Sequence, residues 1–90
     1  MGGAKMATSM TIKVLLFAQL RDRVGADELM VALPQGATGA DCLSWLAGRN
    51  PDVAGLLKVS RLAVNYEYVS LDHKLQNADE VVVIPPVSGG

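Results

Sequence analysis

From Glu80 to Pro86 the chain reads EVVVIPP: four apolar residues in a row, closed by two prolines. Nothing else in the sequence limits the fold as strongly. A short run rich in β-branched side chains favours extended backbone over helix. Successive side chains on a strand point to opposite faces, so Val81 and Val83 take one face and Val82 and Ile84 the other. Pro85 and Pro86 have no backbone N–H to give to a ladder, so the sheet must end there. The fold therefore needs a sheet whose last strand is apolar on both sides and whose chain leaves at once.

The other elements follow from period and punctuation. TIKVLLFA (Thr11–Ala18) begins as an alternating strand, with Ile12, Val14 and Leu16 on one face, and becomes apolar on both at Leu15 and Phe17. QLRDRVG has room for one helical turn ending at Gly25. ELMVALP (Glu28–Pro34) reads as a second strand, stopped by Pro34-Gln35-Gly36. Thr38 is placed to cap a helix, with Asp41 at its positive end and Leu43, Leu46 and Ala47 as one apolar stripe. That helix runs to about Arg49 and stops before Pro51, because a residue preceding proline avoids helical geometry. DVAGLLK reads as a short, weakly helical connector. RLAVN (Arg61–Asn65) is a strand, and YVSL (Tyr68–Leu71) continues it or pairs with it across a turn at Asn65–Glu67. The expected class is α+β, one main helix lying across one face of a mixed four- to five-stranded sheet.

One helix covers only one face of such a sheet. Val82, Ile84, Leu15 and Phe17 then leave apolar surface on the other side, and uncovered apolar surface of this kind marks a protein partner. Closure by loops or by a second copy is the alternative.

Ninety residues make one domain. With a net charge of −1 and the 8 Lys and Arg scattered, no basic patch exists to displace counterions from nucleic acid. No apolar run nears the ~20 residues of a membrane span, and no signal peptide is visible, so a cytoplasmic location is expected. Cys42 is the only cysteine, which excludes an internal disulfide and a thiolate metal site. The expected division is residues 1–9 as a flexible leader or expression remnant, 10–86 as the domain and 87–90 as a flexible tail.

That tail carries the chemistry. Beyond Pro85 and Pro86, the residues Val87, Ser88, Gly89 and Gly90 reach roughly 13 Å if extended. The last two have no side chains, so they fit a channel too narrow for any other residue, with a carboxylate at the tip. A carboxylate is a poor electrophile until it is activated, most simply as an adenylate made from ATP. A sulfur donor then displaces the adenylate and leaves a thiocarboxylate on Gly90. A chance Gly-Gly ending is common; a small α+β domain with an apolar last strand, a Pro-Pro exit and a flush Gly-Gly end is not.

Three blocks, IKVLLFAQLRDRVG, AVNYEYVSLDHKL and DEVVVIPPVSGG, give the chain a resemblance to the small sulfur-carrying subunits of molybdopterin synthase, from about Met10 to Gly90. The resemblance implies a ubiquitin-like β-grasp fold. It also implies that Gly90 is adenylated and thiocarboxylated, then donates sulfur to cyclic pyranopterin monophosphate. The implied partners are the large catalytic subunit, in a heterotetramer, an ATP-dependent adenylating enzyme, and a sulfurtransferase or cysteine desulfurase. No cofactor is bound by the chain itself; ATP and Mg²⁺ belong to the activating enzyme, and no activity is expected of the chain alone. Matching positions imply a partner face of Phe17, Tyr68 and Ile84. The family usually carries Gly where this chain has Ala78, which puts the turn type in question. Two alternatives stay open: a carrier for another pathway such as thiamine, and a ubiquitin-like protein modifier. A plain interaction domain is the third.

The remaining reactive side chains read as structural. His73 lies in a polar turn with no nucleophile or metal partner beside it, and a catalytic histidine needs a positioned neighbour. Cys42 lies beside the helix stripe and reads as a small buried hydrophobe rather than a sulfur relay. Asp79 and Glu80 read as turn-solvating, and Trp45 as core margin. Arg21 and Arg23 face either an acidic partner or the tail.

Overall fold

The computed structural model describes residues 9–86; residues 1–8 and 87–90 lie outside it, and the leader and tail expected there are not described. Five strands form one sheet: β1 (Ser9–Leu16), β2 (Glu28–Pro34), β3 (Arg61–Val64), β4 (Glu67–Val69) and β5 (Glu80–Ile84). Their order across the sheet is β2-β1-β5-β3-β4. β5 lies in the middle, parallel to β1 and antiparallel to β3, which is why it is apolar on both faces. The sheet is mixed, as expected, and its order around a central parallel pair is the β-grasp arrangement. Ser9, assigned above to the leader, is the first residue of β1 and stands opposite Pro34.

One face carries the core. Met10, Ile12, Val14 and Leu16 of β1, Val31 and Leu33 of β2, Leu62 and Val64 of β3, and Val81 and Val83 of β5 are all buried there. The main helix, α2 (Gly39–Arg49), lies over them and buries Cys42, Leu43 and Leu46. Thr38 caps it as expected: its hydroxyl accepts from the Asp41 N–H, while the Asp41 carboxylate accepts from the Thr38 N–H at 2.8 Å. The single turn expected before Gly25 is a seven-residue helix, α1 (Ala18–Val24). The helix forms because it buries Leu20 completely. Gly25 ends it in the left-handed conformation at φ 86°, its N–H bonded to the Arg21 carbonyl. The weakly helical connector is a 3₁₀ turn (Pro51–Val53) running into a short helix, α3 (Ala54–Lys58), which anchor Val53 and Leu57 in the core.

β4 departs from expectation. It spans Glu67–Val69 rather than Tyr68–Leu71. Asn65 and Tyr66 both take positive φ, 51° and 75°, and close a two-residue hairpin that starts the return strand one residue early. Ser70 to Leu75 then leave the sheet and serve α2 instead. The carbonyls of His73 and Leu71 accept from the N–H groups of Gly39 and Ala40, two of the donors left unpaired at any helix start.

This contact explains Gly39. A Cβ there would collide with Leu62 Cδ1 and press on the Leu71 carbonyl at 3.4 Å. Leu62 is fully buried, so its Cδ1 end can move aside only by repacking against its neighbours. Alanine favours a helix over glycine by up to about 1 kcal/mol, whereas overpacking costs about 1–3 kcal/mol. Gly39→Ala should therefore destabilise the domain by up to about 2 kcal/mol net, read as a lower midpoint in urea unfolding with an unchanged slope. An equal or higher midpoint would mean the loop yields freely.

Ala78, where the resemblance implies Gly, does adopt φ 72°. Left-handed backbone costs an L-residue about 1–2 kcal/mol. The surrounding bonds hold the turn despite this. Asp79 accepts from the Gln76 N–H at 2.8 Å and from Asn65 Nδ2 at 3.0 Å, Asn65 Oδ1 accepts from the Glu80 N–H, and Asn77 Oδ1 accepts from the Thr11 N–H. Asp79 is thus a turn-former, and Asn65 ties the β3–β4 hairpin to the start of β5.

Candidate functional site

The second face of the sheet is not covered by any described element. Across it, at the level of the β5 midpoint, stand Leu15, Val82, Ala63 and Tyr68, neighbours in register on four successive strands. Ala63 is buried by its neighbours, Leu15 and Val82 are half-buried, and Tyr68 is 69% exposed. One step towards the chain exit lies the pair Arg61 and Ile84. Phe17 follows directly on the Leu16–Val83 pair, so it arrives at the same level as Ile84. Its backbone is still extended, at φ −131° and ψ 163°, and the next residue, Ala18, turns at φ 52° into α1. The ring is left 50% exposed.

The structure thus brings Phe17, Ile84 and Tyr68 to one face. Pro85, half-buried, and Pro86, exposed, carry the chain off the end of β5 beside it. An open cavity of about 360 Å³ marks this exit, lined by Val59, Arg61, Ile84, Pro85 and Pro86. Val87, Ser88, Gly89 and Gly90 lie outside the described residues, so the tail is known here only by its root.

Sequence reasoning missed Val59 and Arg61. Alternation along β3 puts Arg61 on the face of Ala63, but only the pairing with Ile84 reveals what lies beside it. It also missed Met30, which alternation along ELMVALP would have found: Met30 is exposed opposite Lys13 on the same face.

The other reactive side chains lie away from this exit. Cys42 is 0% exposed under α2, and burial pushes its thiol up to about 12 from an ordinary 9.0. A thiol held protonated and out of solvent is neither nucleophile nor sulfur relay at neutral pH. His73 is exposed on a polar hollow shared with Asn65, Glu67 and Asp79 at the opposite end of the sheet from the prolines. Arg21 pairs with Asp22 at 3.5 Å and Arg23 with Asp52 at 3.9 Å, all four exposed. Trp45 is half-buried at the core margin, with the Arg49 guanidinium 4.3 Å from its ring centre. A further apolar groove of about 280 Å³ separates α2 from α3, on the helical side. Among the described residues no cluster of His, Cys, Asp or Glu is arranged to hold a metal, and no helix is long and apolar enough to cross a membrane.

A site built this way presents one apolar face with an aromatic rim, and Pro85 and Pro86 leave the sheet at its edge. Among the described residues, those lining this exit are Val59, Arg61, Ile84, Pro85 and Pro86.

The comparisons with known proteins agree with this geometry. The sequence pattern of the ThiS family matches residues 14–90. A molybdopterin synthase sulfur carrier subunit from Escherichia coli (strain K12) is 42% identical over 81 residues, 88% of this chain and 99% of that protein. One of the same description from Dictyostelium discoideum is 41% identical over 81 residues, 87% of this chain and 94% of the relative. The solved structure of a Pyrococcus furiosus protein, described as molybdopterin converting factor subunit 1, superposes with a TM-score of 0.79 at 32% identity, covering 87% of this chain and 99% of that one.

Proposed function

The chain belongs to the ThiS family, and on that premise we propose that it is the sulfur carrier subunit of a molybdopterin synthase. The observation that carries the proposal is the exit of the chain between Ile84 and Pro86 on the edge of an uncovered apolar face, with Val87-Ser88-Gly89-Gly90 following in the sequence. Support comes from relatives of that description at 41–42% identity over nearly their whole length.

The chain works in the cytoplasm as a handle for one reactive atom. An ATP-dependent adenylating enzyme, which uses ATP with Mg²⁺, converts the Gly90 carboxylate to an acyl-adenylate and releases pyrophosphate. The outer sulfur of a persulfide on a sulfurtransferase or cysteine desulfurase displaces AMP to give an acyl disulfide, and a second thiol cleaves its S–S bond, leaving a thiocarboxylate on Gly90 and a disulfide on the donor side. The apolar face of Phe17, Ile84 and Tyr68 docks on the large subunit. Pro85, Pro86, Val87 and Ser88 line the approach, and Gly89 and Gly90 pass the narrowest point. Closing that channel around the tail keeps water from the thiocarboxylate. The sulfur then attacks cyclic pyranopterin monophosphate, water cleaves the resulting acyl–sulfur link to return the Gly90 carboxylate and leave the sulfur on the precursor, and a second loaded chain supplies the second sulfur of the dithiolene in the same way. The domain contributes position and exclusion of solvent, and the large subunit contributes the catalytic groups.

Intact-mass measurement tests this reading. After incubation with adenylating enzyme, ATP and a sulfur source, the chain should gain about 16 Da, the exchange of one oxygen for sulfur. Exposure to the large subunit and precursor should return it to the starting mass. A chain that stays at its starting mass, or that is recovered joined to lysines of other proteins, would remove the carrier assignment.

A further inference from the structure

The uncovered face is apolar apart from a few charges, and all but one of these have a simple account. Lys13 and Glu80 stand opposite each other across β1 and β5. Glu28 sits on the outer strand, β2, at the edge of the sheet. Arg61 is different. Its neighbour in register on β5 is Ile84, and it lines the exit cavity with Val59, Ile84, Pro85 and Pro86. Val59 beside it is 60% exposed. Among the described residues Arg61 enters no ion pair; the two that exist belong to Arg21 and Arg23.

A lone cation is harmless on a wet surface. If this face is covered by another protein, water is removed from Arg61 along with the apolar residues around it. An uncompensated charge in a dry interface opposes association strongly, so a stable complex requires an anion from the partner. A planar guanidinium takes a carboxylate through two parallel hydrogen bonds, a geometry that also fixes orientation. Arginine and tyrosine are enriched among the few residues that dominate interface energetics, and Arg61 and Tyr68 flank the apolar floor of this face.

We infer, on the basis of the carrier reading, that Arg61 is a specificity-determining residue of the carrier, pairing with a carboxylate at the mouth of the tail channel in the large subunit. The length of the tail separates this anion from the other one the carrier meets. If extended, the four residues beyond Pro86 reach roughly 13 Å. An adenylate phosphate on Gly90 therefore lies far down a partner channel, while Arg61 stays at its rim.

The test is a binding titration of the cognate large subunit with the parent chain and with Arg61→Glu, Arg61→Leu and Arg61→Lys, at low and high salt. Arg61→Glu should weaken binding about a hundredfold, because it sets two carboxylates against each other. Arg61→Leu should weaken it about tenfold and flatten the salt dependence, and Arg61→Lys should recover part of both. ATP–pyrophosphate exchange by the adenylating enzyme should stay near the parent rate in all three. Arg61 is exposed, so the isolated domains should melt close together; if the Glu variant does not fold, the Leu variant alone decides. Unchanged affinity and salt dependence for Arg61→Leu overturn the inference. So does loss of pyrophosphate exchange with affinity for the large subunit intact, since the anion is then the adenylate phosphate. A parent chain that fails to bind the large subunit at all removes the carrier reading and this inference together, whereas parent binding with indifferent variants removes only the role of Arg61.

Discussion

Deletion of Gly89 and Gly90 is expected to abolish sulfur transfer in a reconstituted synthase and to leave the melting temperature of the isolated domain almost unchanged. The reacting carbon is the terminal carboxyl, and its position depends on chain length alone. Losing two residues withdraws it by about 7 Å, where misplacement of a reacting group by only 1 Å costs about a hundredfold. The new terminus is Ser88, whose side chain also widens the tip. Activation and delivery should both fail, so no turnover above the uncatalysed background is expected with either the activating enzyme or the large subunit. Stability behaves differently because the sheet is complete at Ile84 and the prolines that follow take no part in a ladder. Two glycines have no side chain to bury. In a domain of this size about 1 kcal/mol moves the midpoint by about 4–8 °C, so a fall of that size would show that the tail is packed on the domain. Turnover by the shortened chain would show that the carboxyl of Gly90 is not the sulfur-bearing group.

The same separation between tail and domain explains what was legible in the residues. β2 and β5 are readable to within a residue because each is closed by proline, which ends a ladder for a local reason. α2 is readable because Thr38 and Asp41 cap each other within four residues of sequence. α1 reads as a single turn in the sequence because the burial of Leu20, in its first turn, is a tertiary contact that local residues do not show. β4 was misplaced because its hairpin turn puts Tyr66 at positive φ, a position where Gly is the usual signal. Ser70 to Leu75 look like strand continuation locally, yet they fold away to satisfy the start of α2, a partner some thirty residues upstream. The candidate site divides the same way. Alternation along β1 and β5 places Phe17 and Ile84 on the second face without any knowledge of topology. Arg61 and Val59 join them only once β3 is known to lie beside β5. Period assigns a side chain to a face, but strand order assigns its neighbours.

Phe17→Lys is expected to weaken binding to the large subunit by about a hundredfold or more while costing the isolated domain about 1 kcal/mol or less. Half of the Phe17 surface is already in water and the ring lies outside the core, so little burial is lost from the free domain. The lysine stem lies along the same surface and keeps its ammonium solvated. In the complex that escape is closed. An aromatic anchor is removed, which alone costs about 2 kcal/mol or more at a well-packed position, and an unpaired cation takes its place in a dry contact. Ile84→Lys should weaken binding at least as much, but it is the less clean probe. Ile84 is half-buried and stands opposite Arg61, so lysine there also sets two like charges across adjacent strands and lowers the stability of the free domain. Met30→Lys supplies the contrast. Met30 is 62% exposed on the same face, but on the edge strand and next to Lys13, away from the exit of the tail. If the docking surface is centred on the root of the tail, calorimetric titration should rank the losses as Ile84 and Phe17 far above Met30. Equal losses at all three would mean that any added charge on the sheet is enough, and no loss at Phe17 would place the partner on another surface, with the groove between α2 and α3 the next to mutate.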